Sequence, residues 1–569
     1  MFKLKSVKFL LPLLIFTGVF SYSFREDLFQ ASKNLDIFSA LYKELNISYV
    51  DEVNSSHLME TGIDAMLNSL DPYTEFVPES EIEDYKMKYV STQYGGIGTI
   101  TFSREGRIIV SETLEGFPAQ KADIRAGDEL VEINGVNLKG KNYDQVSQLL
   151  KGPKSTALKL TIKRYGATVE KNINREEITQ PNVGYSAMMN NNIGYIKLDK
   201  FLENSAKEVQ DALVELQKNN PSGIILDLRS NGGGILQEAV KIVNLFVIPN
   251  VVVVTQKGKN RDKSIPYKTY NQPLAPNIPL VVLINNRAAS ASEIVAGSLQ
   301  DLDRAVIIGQ RSYGKGLVQQ TFNLPYNSLV KVTVAKYYTP SGRCIQALDY
   351  THRTADRGVE KVADSLITEY KTKGNRSVYD GSGIYPDIAV PAFKASPISL
   401  TLLSRHYIFD YATLYRKQKP TIPDPKTFKL SDAEYNDFIN YLSDKDYNYS
   451  TRTEKILNDL KAEAEKEQKL AEIKPEFDAL KSKVFFSKKN DLTQFKDEIR
   501  RLLENEIVTR YYFHKGRLEN GFKYDQDLKS ALNVLENKAS LSAILQGDGI
   551  YKSIGKPQKS FSANAGSSN

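Results

Sequence analysis

The sequence is poor in the side chains that many hydrolases and metalloproteins use for chemistry. Its 569 residues include one cysteine, four histidines and no tryptophan. A single cysteine, Cys344, cannot form an internal disulfide or a zinc ribbon. The histidines are far apart in sequence, so a clustered metal motif of the HExxH kind is absent. We therefore expect no metal and no cofactor, and a hydrolase of this composition would need a base other than histidine.

Net charge is also small for the length of the chain. Lys and Arg number 75 against 68 Asp and Glu, a net charge of +7, and no basic patch is interleaved with aromatic residues. This excludes an obvious nucleic-acid surface, and we expect no nucleic-acid partner. Hydrophobic residues make up 41% and charged residues 25%, which is typical of globular proteins and excludes a wholly disordered chain.

The N-terminus has the pattern of an export signal. Lysines at positions 3, 5 and 8 precede an apolar run over 9–20, and small residues Ser21 and Ser23 follow it. The run is short for a membrane span and typical of a signal peptide. We predict a cleaved signal peptide over 1–23 and export, most simply to a periplasm. An uncleaved anchor is the alternative.

Several changes of pattern divide the rest of the chain. Helical periodicity comes first, then alternating strands with glycine turns, then alternating apolar strands and amphipathic helices typical of an α/β layer domain, and finally charged amphipathic helices. The predicted regions are an N-terminal helical region (24–90), a small β domain (91–166), an α/β domain (167–395) and a C-terminal helical extension with a disordered tail (396–569).

The small β domain resembles a PDZ domain. A glycine-rich loop precedes an edge strand, an AGDELVEING turn and a helix. Backbone N–H groups of such a loop can hold the carboxylate of a peptide that adds to the sheet as a strand. The loop residues are Tyr94, Gly95, Gly96, Ile97 and Gly98. A generic small β domain is the alternative.

The run from Asn285 to Gln320 contains candidate catalytic residues. A strand leads into a helix that begins near Ser290 and Ser292, and backbone N–H groups at such a helix start can stabilise an oxyanion. Serine needs a base, and Lys315 lies between two glycines that allow close packing around its amine. Gln319 could orient that amine. On spacing alone, a helix cap is the more common role for such serines.

Seven motifs in order are similar to those of the carboxy-terminal processing peptidases, also called tail-specific proteases. They span residues 30–392: LDPYT, YGGIG, DLRSNGGG, SASEI, YGKGLVQQ, YYTPSGRCIQ and GIYPD. The resemblance implies a crotonase-like α/β protease core with an inserted PDZ domain. It also implies an exported serine endopeptidase that recognises C-terminal tails of proteins through the PDZ domain and cleaves them through an acyl-enzyme.

The resemblance also implies roles for individual residues. Ser290 would be the nucleophile, Lys315 the general base and Gln319 its support. The oxyanion donors would be the N–H of Ala291 and of Gly233 or Gly234. Ser292 is the rival nucleophile, which the family pattern places in a capping or packing role. The sequence departs from the family at Gly232, where proline is often found.

The implied partners are protein or peptide substrates with apolar C-termini, and an adaptor protein and a homodimer are left open. Two other functions compete with this interpretation. A catalytically dead PDZ scaffold would be expected to lack the serine, lysine or glutamine. An acyl-CoA enzyme of the crotonase type fits neither the PDZ-like segment nor the export signal.

Overall fold

The computed structural model describes residues 29–90, 93–259, 264–353, 359–484 and 488–548. The predicted signal peptide and the predicted disordered tail lie outside these residues. The chain divides into two compact units, of which the smaller contains residues up to 79 together with Gln319–Thr333, and the larger contains the remainder. Within the described ranges, no helix combines the length and apolar content that a membrane span requires.

The smaller unit confirms the helical periodicity of its sequence. Helix α1 covers 29–48, α2 covers Ser55–Asn68 and a short strand β1 covers Glu75–Val77. The turn before β1 is built by Asp71, whose Oδ1 accepts from the N–H of Tyr73 at 2.8 Å and of Thr74 at 2.9 Å. This turn directs β1 into antiparallel pairing with residues 329–331.

The first part of the larger unit contains an antiparallel sheet with the strand order β3-β4-β5-β7-β8, and β6 pairs with β5. A separate ribbon pairs β2 with β9. Alternating strand residues such as Leu158, Leu160 and Ile162 are buried, as expected for a sheet with one covered face. The elements are α3 (Ile82–Tyr89), β2 (Gln93–Gly96), β3 (Thr99–Arg104), β4 (Arg107–Thr113), α4 (Pro118–Lys121), β5 (Glu129–Ile133), β6 (Val136–Asn137), α5 (Tyr143–Leu150), β7 (Ala157–Arg164), β8 (Ala167–Asn174) and β9 (Glu176–Thr179).

The second part has a sheet with the order β10-β11-β12-β15-β16-β23, parallel except for the β10–β11 pair. All residues of β11, β12, β15 and β16 are buried, which explains the continuous apolar runs in the sequence. The elements are β10 (Val183–Met189), β11 (Ile193–Leu198), α6 (Ser205–Gln217), β12 (Gly223–Asp227), α7 (Leu236–Asn244), β13 (Val252–Gly258), β14 (Ser264–Lys268), β15 (Leu280–Ile284), α8 (Ala291–Asp301) and β16 (Val306–Gly309).

The strands after β16 form smaller sheets, except for β23, which pairs with β16 in the parallel sheet. The hairpin β13–β14 pairs with residues 335–338 of β18. The elements are β17 (Leu317–Leu324), β18 (Ser328–Tyr338), β19 (Leu348–Arg353), β20 (Val359–Lys361), β21 (Glu369–Lys371), β22 (Ser377–Tyr379) and β23 (Ile388–Ala389). The alternation of strands and helices predicted for this region is confirmed.

Helices form the C-terminal part, as the charged periodicity predicts. They are α9 (Pro397–Ser404), α10 (Tyr407–Gln418), α11 (Asp432–Tyr441), α12 (Arg452–Lys466), α13 (Leu470–Val484), α14 (Lys488–Gln494), α15 (Lys496–Gly521), α16 (Gln526–Glu536) and α17 (Lys538–Gln546). Helices α9 to α11, α14 and α15 share a core of their own. Helices α16 and α17 instead bury apolar residues against one face of the parallel sheet, opposite the face covered by α6 to α8.

The PDZ-like sheet contacts the C-terminal helices along β3. Arg104 donates from Nη1 to both carboxylate oxygens of Asp410, at 2.9 and 3.0 Å. Phe102 stacks on the imidazole of His406, with ring centroids 4.6 Å apart. This ion pair and the stacked rings fix the sheet against α10.

Candidate active site

The candidate site is built from three loops that follow the carboxyl ends of neighbouring parallel strands. Residues 228–234 follow β12, residues 285–290 follow β15, and residues 310–316 follow β16. Such loops lie at one edge of the sheet, which is where open α/β sheets bind ligands. Ser290, Gly233 and Lys315 each lie on one of these loops, so the topology brings the predicted residues to one place.

Ser290 lies at a strained turn between β15 and α8. Its φ of 55° and ψ of −113° lie outside the regions that a serine ordinarily adopts. Such a conformation costs about 1–3 kcal/mol and persists only where the surroundings enforce it. The preceding Ala288 and Ala289 are buried, and Ala289 N donates to Asn231 O at 3.0 Å. The chain therefore holds Ser290 half-buried at the start of α8 in a conformation that a helix cap does not need.

Glu293 joins the serine turn to the lysine loop. Its carboxylate is fully buried and accepts four hydrogen bonds. Oε2 accepts from the N–H of Ser290 at 2.8 Å and of Lys315 at 2.9 Å. Oε1 accepts from Gly314 N at 2.7 Å and from Ser312 Oγ at 2.5 Å. Burial raises the pKa of Glu293, and these donors oppose that rise.

Tyr337 joins the same two loops from a second side. Its hydroxyl lies within hydrogen-bonding distance of the carbonyl oxygens of Ser290, at 3.2 Å, and of Lys315. The ring is buried. Because two independent partners hold both backbones, the positions of Ser290 and Lys315 are fixed relative to each other.

Two glycines allow the lysine loop to pack closely, as the sequence predicts. A Cβ at Gly314 would lie 2.4 Å from the Cβ of Ala347, and one at Gly316 would lie 2.8 Å from Gln346 N. The loop therefore needs glycine on both sides of Lys315, which is itself half-buried.

The glycine turn after β12 packs directly against the serine. A Cβ at Gly233 would lie 2.8 Å from the Cβ of Ser290 and 2.8 Å from the N of Ala291. The φ of Gly233 is 91°, a second reason why glycine is required. The N–H of Ala291 lies in the first turn of α8, where backbone donors have no intrahelical acceptor. Gly233 and Ala291 therefore both lie beside Ser290, and their role as oxyanion donors stays a prediction.

The two candidate glycines differ in their surroundings. Gly234 packs on Phe201, because a Cβ there would lie 2.3 Å from Phe201 O. Gly233 lies beside Ser290, and its N–H donates to Asn231 Oδ1 at 3.0 Å. Of the pair, Gly233 is the glycine next to the serine turn. If its N–H is to bind an oxyanion, as predicted, that N–H must exchange the Asn231 acceptor for substrate.

Ser292, the rival nucleophile, is fully buried. Its hydroxyl donates to Asn231 O at 2.8 Å, which fastens α8 to the glycine turn. The packing role predicted for Ser292 is confirmed.

Gln319 lies in the smaller unit. Its Nε2 donates to Thr333 Oγ1 at 3.1 Å, and Thr333 N donates to Thr74 Oγ1 at 3.2 Å. Thr74 Oγ1 in turn donates to Asp71 Oδ2 at 3.1 Å, so the LDPYT turn is linked by hydrogen bonds to Gln319. The support of Lys315 by Gln319 stays a prediction.

The PDZ-like loop is shorter than the glycine pattern predicts. Tyr94, Gly95 and Gly96 belong to β2, because they pair with Ile178, Glu177 and Glu176 of β9. Gly95 allows this ribbon to approach Gly152, whose carbonyl oxygen would lie 2.0 Å from a Cβ at position 95.

Only two residues, Ile97 and Gly98, separate β2 from the edge strand β3. Their carbonyl groups accept from Ala119 N at 2.8 Å and from Leu114 N at 2.9 Å. Peptide binding by the predicted loop therefore stays a prediction, centred on these two residues and the outer edge of β3.

A buried ion cluster lies immediately before the glycine turn. Arg229 is surrounded by the carboxylates of Asp227, Asp525 and Asp527, with N–O distances of 2.6, 2.7 and 2.9 Å. Burial alone would raise the pKa of Asp227, but Arg229 and Lys197 outweigh it and hold that pKa well below its ordinary value. Two of the three carboxylates come from the C-terminal helices.

Three features of this site were missed by the sequence analysis. Glu293 could have been found, because Ser290 and Glu293 have the spacing of a capping box. Tyr337 begins the YYTPSGRCIQ motif, but that motif indicates no role for its hydroxyl. Asp525 and Asp527 lie far along the chain in a segment with no local signal for a site.

The sequence is similar to known protein families and to individual proteins. Three family models match it: "Peptidase family S41" over residues 192–353, "PDZ domain" over 109–164, and "Probable PDZ-protease, C-terminal helical domain" over 398–535. The carboxy-terminal processing protease CtpA of Bacillus subtilis (strain 168) is 32% identical over 371 residues, which cover 61% of this chain and 78% of the relative.

Two further proteins are similar to this chain. A "Probable CtpA-like serine protease" of Staphylococcus aureus (strain MRSA252) is 30% identical over 407 residues, covering 71% of this chain and 70% of the relative. The solved structure of a photosystem II D1 C-terminal processing protease is 30% identical and covers 54% of this chain and 89% of its own, with a TM-score of 0.31.

These matches define a serine-type peptidase with a PDZ domain and a C-terminal helical domain. The chain belongs to the carboxy-terminal processing peptidases of family S41.

Proposed function

We propose that this peptidase is an exported endopeptidase that captures C-terminal tails of proteins in its PDZ domain and cleaves them with a Ser290–Lys315 dyad. The observation that carries the proposal is the double link between the serine turn and the lysine loop. Glu293 binds both backbone N–H groups, and Tyr337 contacts both carbonyl groups. Residues held this way keep a fixed separation, which a nucleophile and its base require.

The chemistry follows from these positions. The amine of Lys315 takes the proton of Ser290 Oγ while Oγ forms a bond to the carbonyl carbon of the substrate. The N–H groups of Ala291 and Gly233 receive the oxyanion. Collapse breaks the C–N bond, and the leaving amine takes the proton from Lys315. Water then attacks the ester with Lys315 as base, which releases the acid and restores Ser290.

Tail capture is supported by the open edge of the PDZ sheet. Strand β3 ends the sheet order, and no other strand in the described residues pairs with its outer side. A peptide can therefore add there as a further strand, with its carboxylate near Ile97 and Gly98. We propose apolar tails as substrates and, as in the family, control by movement of the PDZ domain.

The proposal also covers export, an adaptor protein, dimerisation and the type of protease core. Export to a periplasm rests on the N-terminal segment, and an adaptor protein remains an open partner. A homodimer is supported by exposed apolar residues on α1, such as Leu35, Phe38 and Leu41. A crotonase-like core is supported by the parallel strands β11, β12, β15 and β16 with helices α6 to α8 on one face.

The test uses a reporter protein with an apolar C-terminal tail and a matched reporter with a charged tail. We expect the purified enzyme to degrade the first much faster than the second. Ser290→Ala and Lys315→Ala should abolish turnover while tail binding, measured by fluorescence anisotropy, is retained. The matched control is Ser298→Ala, which alters a buried serine of the same helix that donates to Val253 O and Ile294 O, and it should keep most of the activity. Turnover by Ser290→Ala at the unaltered rate would refute the dyad.

A further inference from the structure

We propose that the C-terminal helical domain positions the oxyanion turn of the active site, through Asp525 and Asp527 acting on Arg229. That this turn receives the oxyanion rests on the proposed function. The two aspartates are positioning residues, since they contact neither Ser290 nor Lys315. They contact Arg229, which begins the glycine turn, and Asp527 also accepts from Gln310 at the start of the lysine loop.

The contacts between these residues are numerous and directional. Asp525 binds the guanidinium in a bidentate manner, with Oδ1 at 2.9 Å from Nη1 and Oδ2 at 2.7 Å from Nη2. Asp527 Oδ2 lies 2.9 Å from Nη1. Asp227 accepts from Nε at 3.0 Å and from Nη2 at 2.6 Å. Planar bidentate pairing fixes the orientation of an arginine as well as its place.

The aspartates are themselves held rigidly. Asp525 is the N-cap of α16, and its Oδ1 also accepts from Leu528 N at 3.0 Å. Asp527 accepts from Gln310 Nε2 at 3.1 Å, and Gln310 follows β16 directly. Helix α16 is anchored on the sheet by Leu528 and its other buried residues. The carboxylates therefore present a fixed surface to Arg229.

A short path leads from Arg229 to the oxyanion donor. Lys197 Nζ donates to the carbonyl oxygen of Arg229 at 2.6 Å, which holds its backbone. Two residues later, Asn231 accepts from Gly233 N at its Oδ1. Asn231 O accepts from Ser292 Oγ, so the same turn also contacts the helix of the nucleophile.

This path has little freedom to absorb a displacement. Only three residues separate Arg229 from Gly233. A displacement of about 1 Å at a reacting group can reduce the rate about 100-fold. Loss of the carboxylates would let Arg229 move and carry the turn with it.

The experiment compares Asp525→Asn, Asp527→Asn and the double variant with wild type. Asparagine at 525 keeps the helix cap, since Asn is as good an N-cap as Asp. The matched control is Asp491→Asn, which alters a buried aspartate of the helical domain that binds Tyr449 rather than Arg229. Rates are measured on a short peptide substrate that does not depend on the PDZ domain, and affinity is measured for a peptide aldehyde.

The aldehyde reports on the turn because it forms a hemiacetal whose oxygen occupies the oxyanion position. We expect the double variant to lose about 10- to 100-fold in kcat, less than the whole of one lost oxyanion donor. KM should stay within about two-fold, and aldehyde affinity should fall by the same factor as kcat, since both depend on the same donors. Asp491→Asn should match wild type in both.

Two results would overturn the inference. One is a double variant with kcat and aldehyde affinity within about two-fold of the Asp491→Asn control. The other is a rise in KM with kcat unchanged. If the double variant does not fold, Arg229→Lys replaces it as the test, because lysine keeps the charge without the bidentate geometry. An unchanged kcat in Arg229→Lys would also overturn the inference. Full activity in Ser290→Ala would instead refute the proposed dyad, so the two failures are distinguishable.

Discussion

Replacement of Glu293 by Gln tests whether the site depends on the link between its two loops. Glutamine fills the same space, but its terminal nitrogen is a donor. The two groups that donate to the corresponding carboxylate oxygen of Glu293 therefore lose their acceptor. Hydrogen bonds to a charged group contribute about 1.5–3 kcal/mol each, so two lost bonds cost about 3–6 kcal/mol. The neutral amide recovers part of the cost of burying a charge, and we expect a net destabilisation of about 1–3 kcal/mol.

The effect on activity should exceed what this loss of stability explains. Ser290 N and Lys315 N share one oxygen of the carboxylate, so the proposed nucleophile and base move apart when that oxygen is replaced or rotated away. A displacement near 1 Å predicts a fall in kcat of about 100-fold. Tail-reporter cleavage gives kcat, and urea unfolding followed by circular dichroism gives the free energy of unfolding.

Glu504→Gln provides the matched control. Glu504 is also fully buried and accepts from Leu430 N at 2.9 Å and Tyr524 Oη at 2.8 Å, but in the helical domain, where Lys523 Nζ also lies 3.0 Å from its Oε2. We expect a similar destabilisation with kcat nearly unchanged. A Glu293→Gln enzyme with kcat within about three-fold of wild type would refute the argument that this carboxylate sets the dyad geometry.

Three further outcomes follow from other contacts. Tyr337→Phe removes the hydroxyl that contacts both loops and should lower kcat about 10-fold with KM little changed, since one buried hydrogen-bonding group is worth about 1–1.5 kcal/mol; unchanged kcat would contradict this. The depressed pKa of Asp227 adds stability that is present above its ordinary pKa and lost as pH falls below it. Acid unfolding of Asp227→Asn should therefore show a shallower pH dependence than wild type, and equal slopes would contradict it. A double-mutant cycle on Arg104 and Asp410 should give a coupling of about 0.2–1 kcal/mol in unfolding free energy, as for a partly exposed pair, and zero coupling would show that the ion pair does not hold the PDZ sheet.

The sequence predicts the sheet strands and the chemistry-bearing loops for clear physical reasons. Strands such as β12 and β15 are continuous apolar runs because both of their faces are covered, and glycines mark Gly233 and the lysine loop because backbone there approaches other backbone closely. The shorter PDZ loop was not predictable, because pairing of β2 with β9 joins segments about 80 residues apart. Local patterns contain no information on such pairing.

The division of the chain by composition also differs from its division by packing. Charged helical periodicity after residue 396 suggests one separate extension, yet α16 places Leu528, Ala531, Val534 and Leu535 against the parallel sheet. Burying a large apolar side chain contributes about 1.5–3 kcal/mol. The burial of these side chains together therefore contributes a free energy comparable to the usual net stability of a domain, about 5–15 kcal/mol. The face that they cover is lined by apolar residues of β12, β15 and β16 and would otherwise meet water. Periodicity shows that α16 has an apolar face but not which surface covers it, and this explains why a helix that completes the peptidase core looks, in sequence, like an appendage.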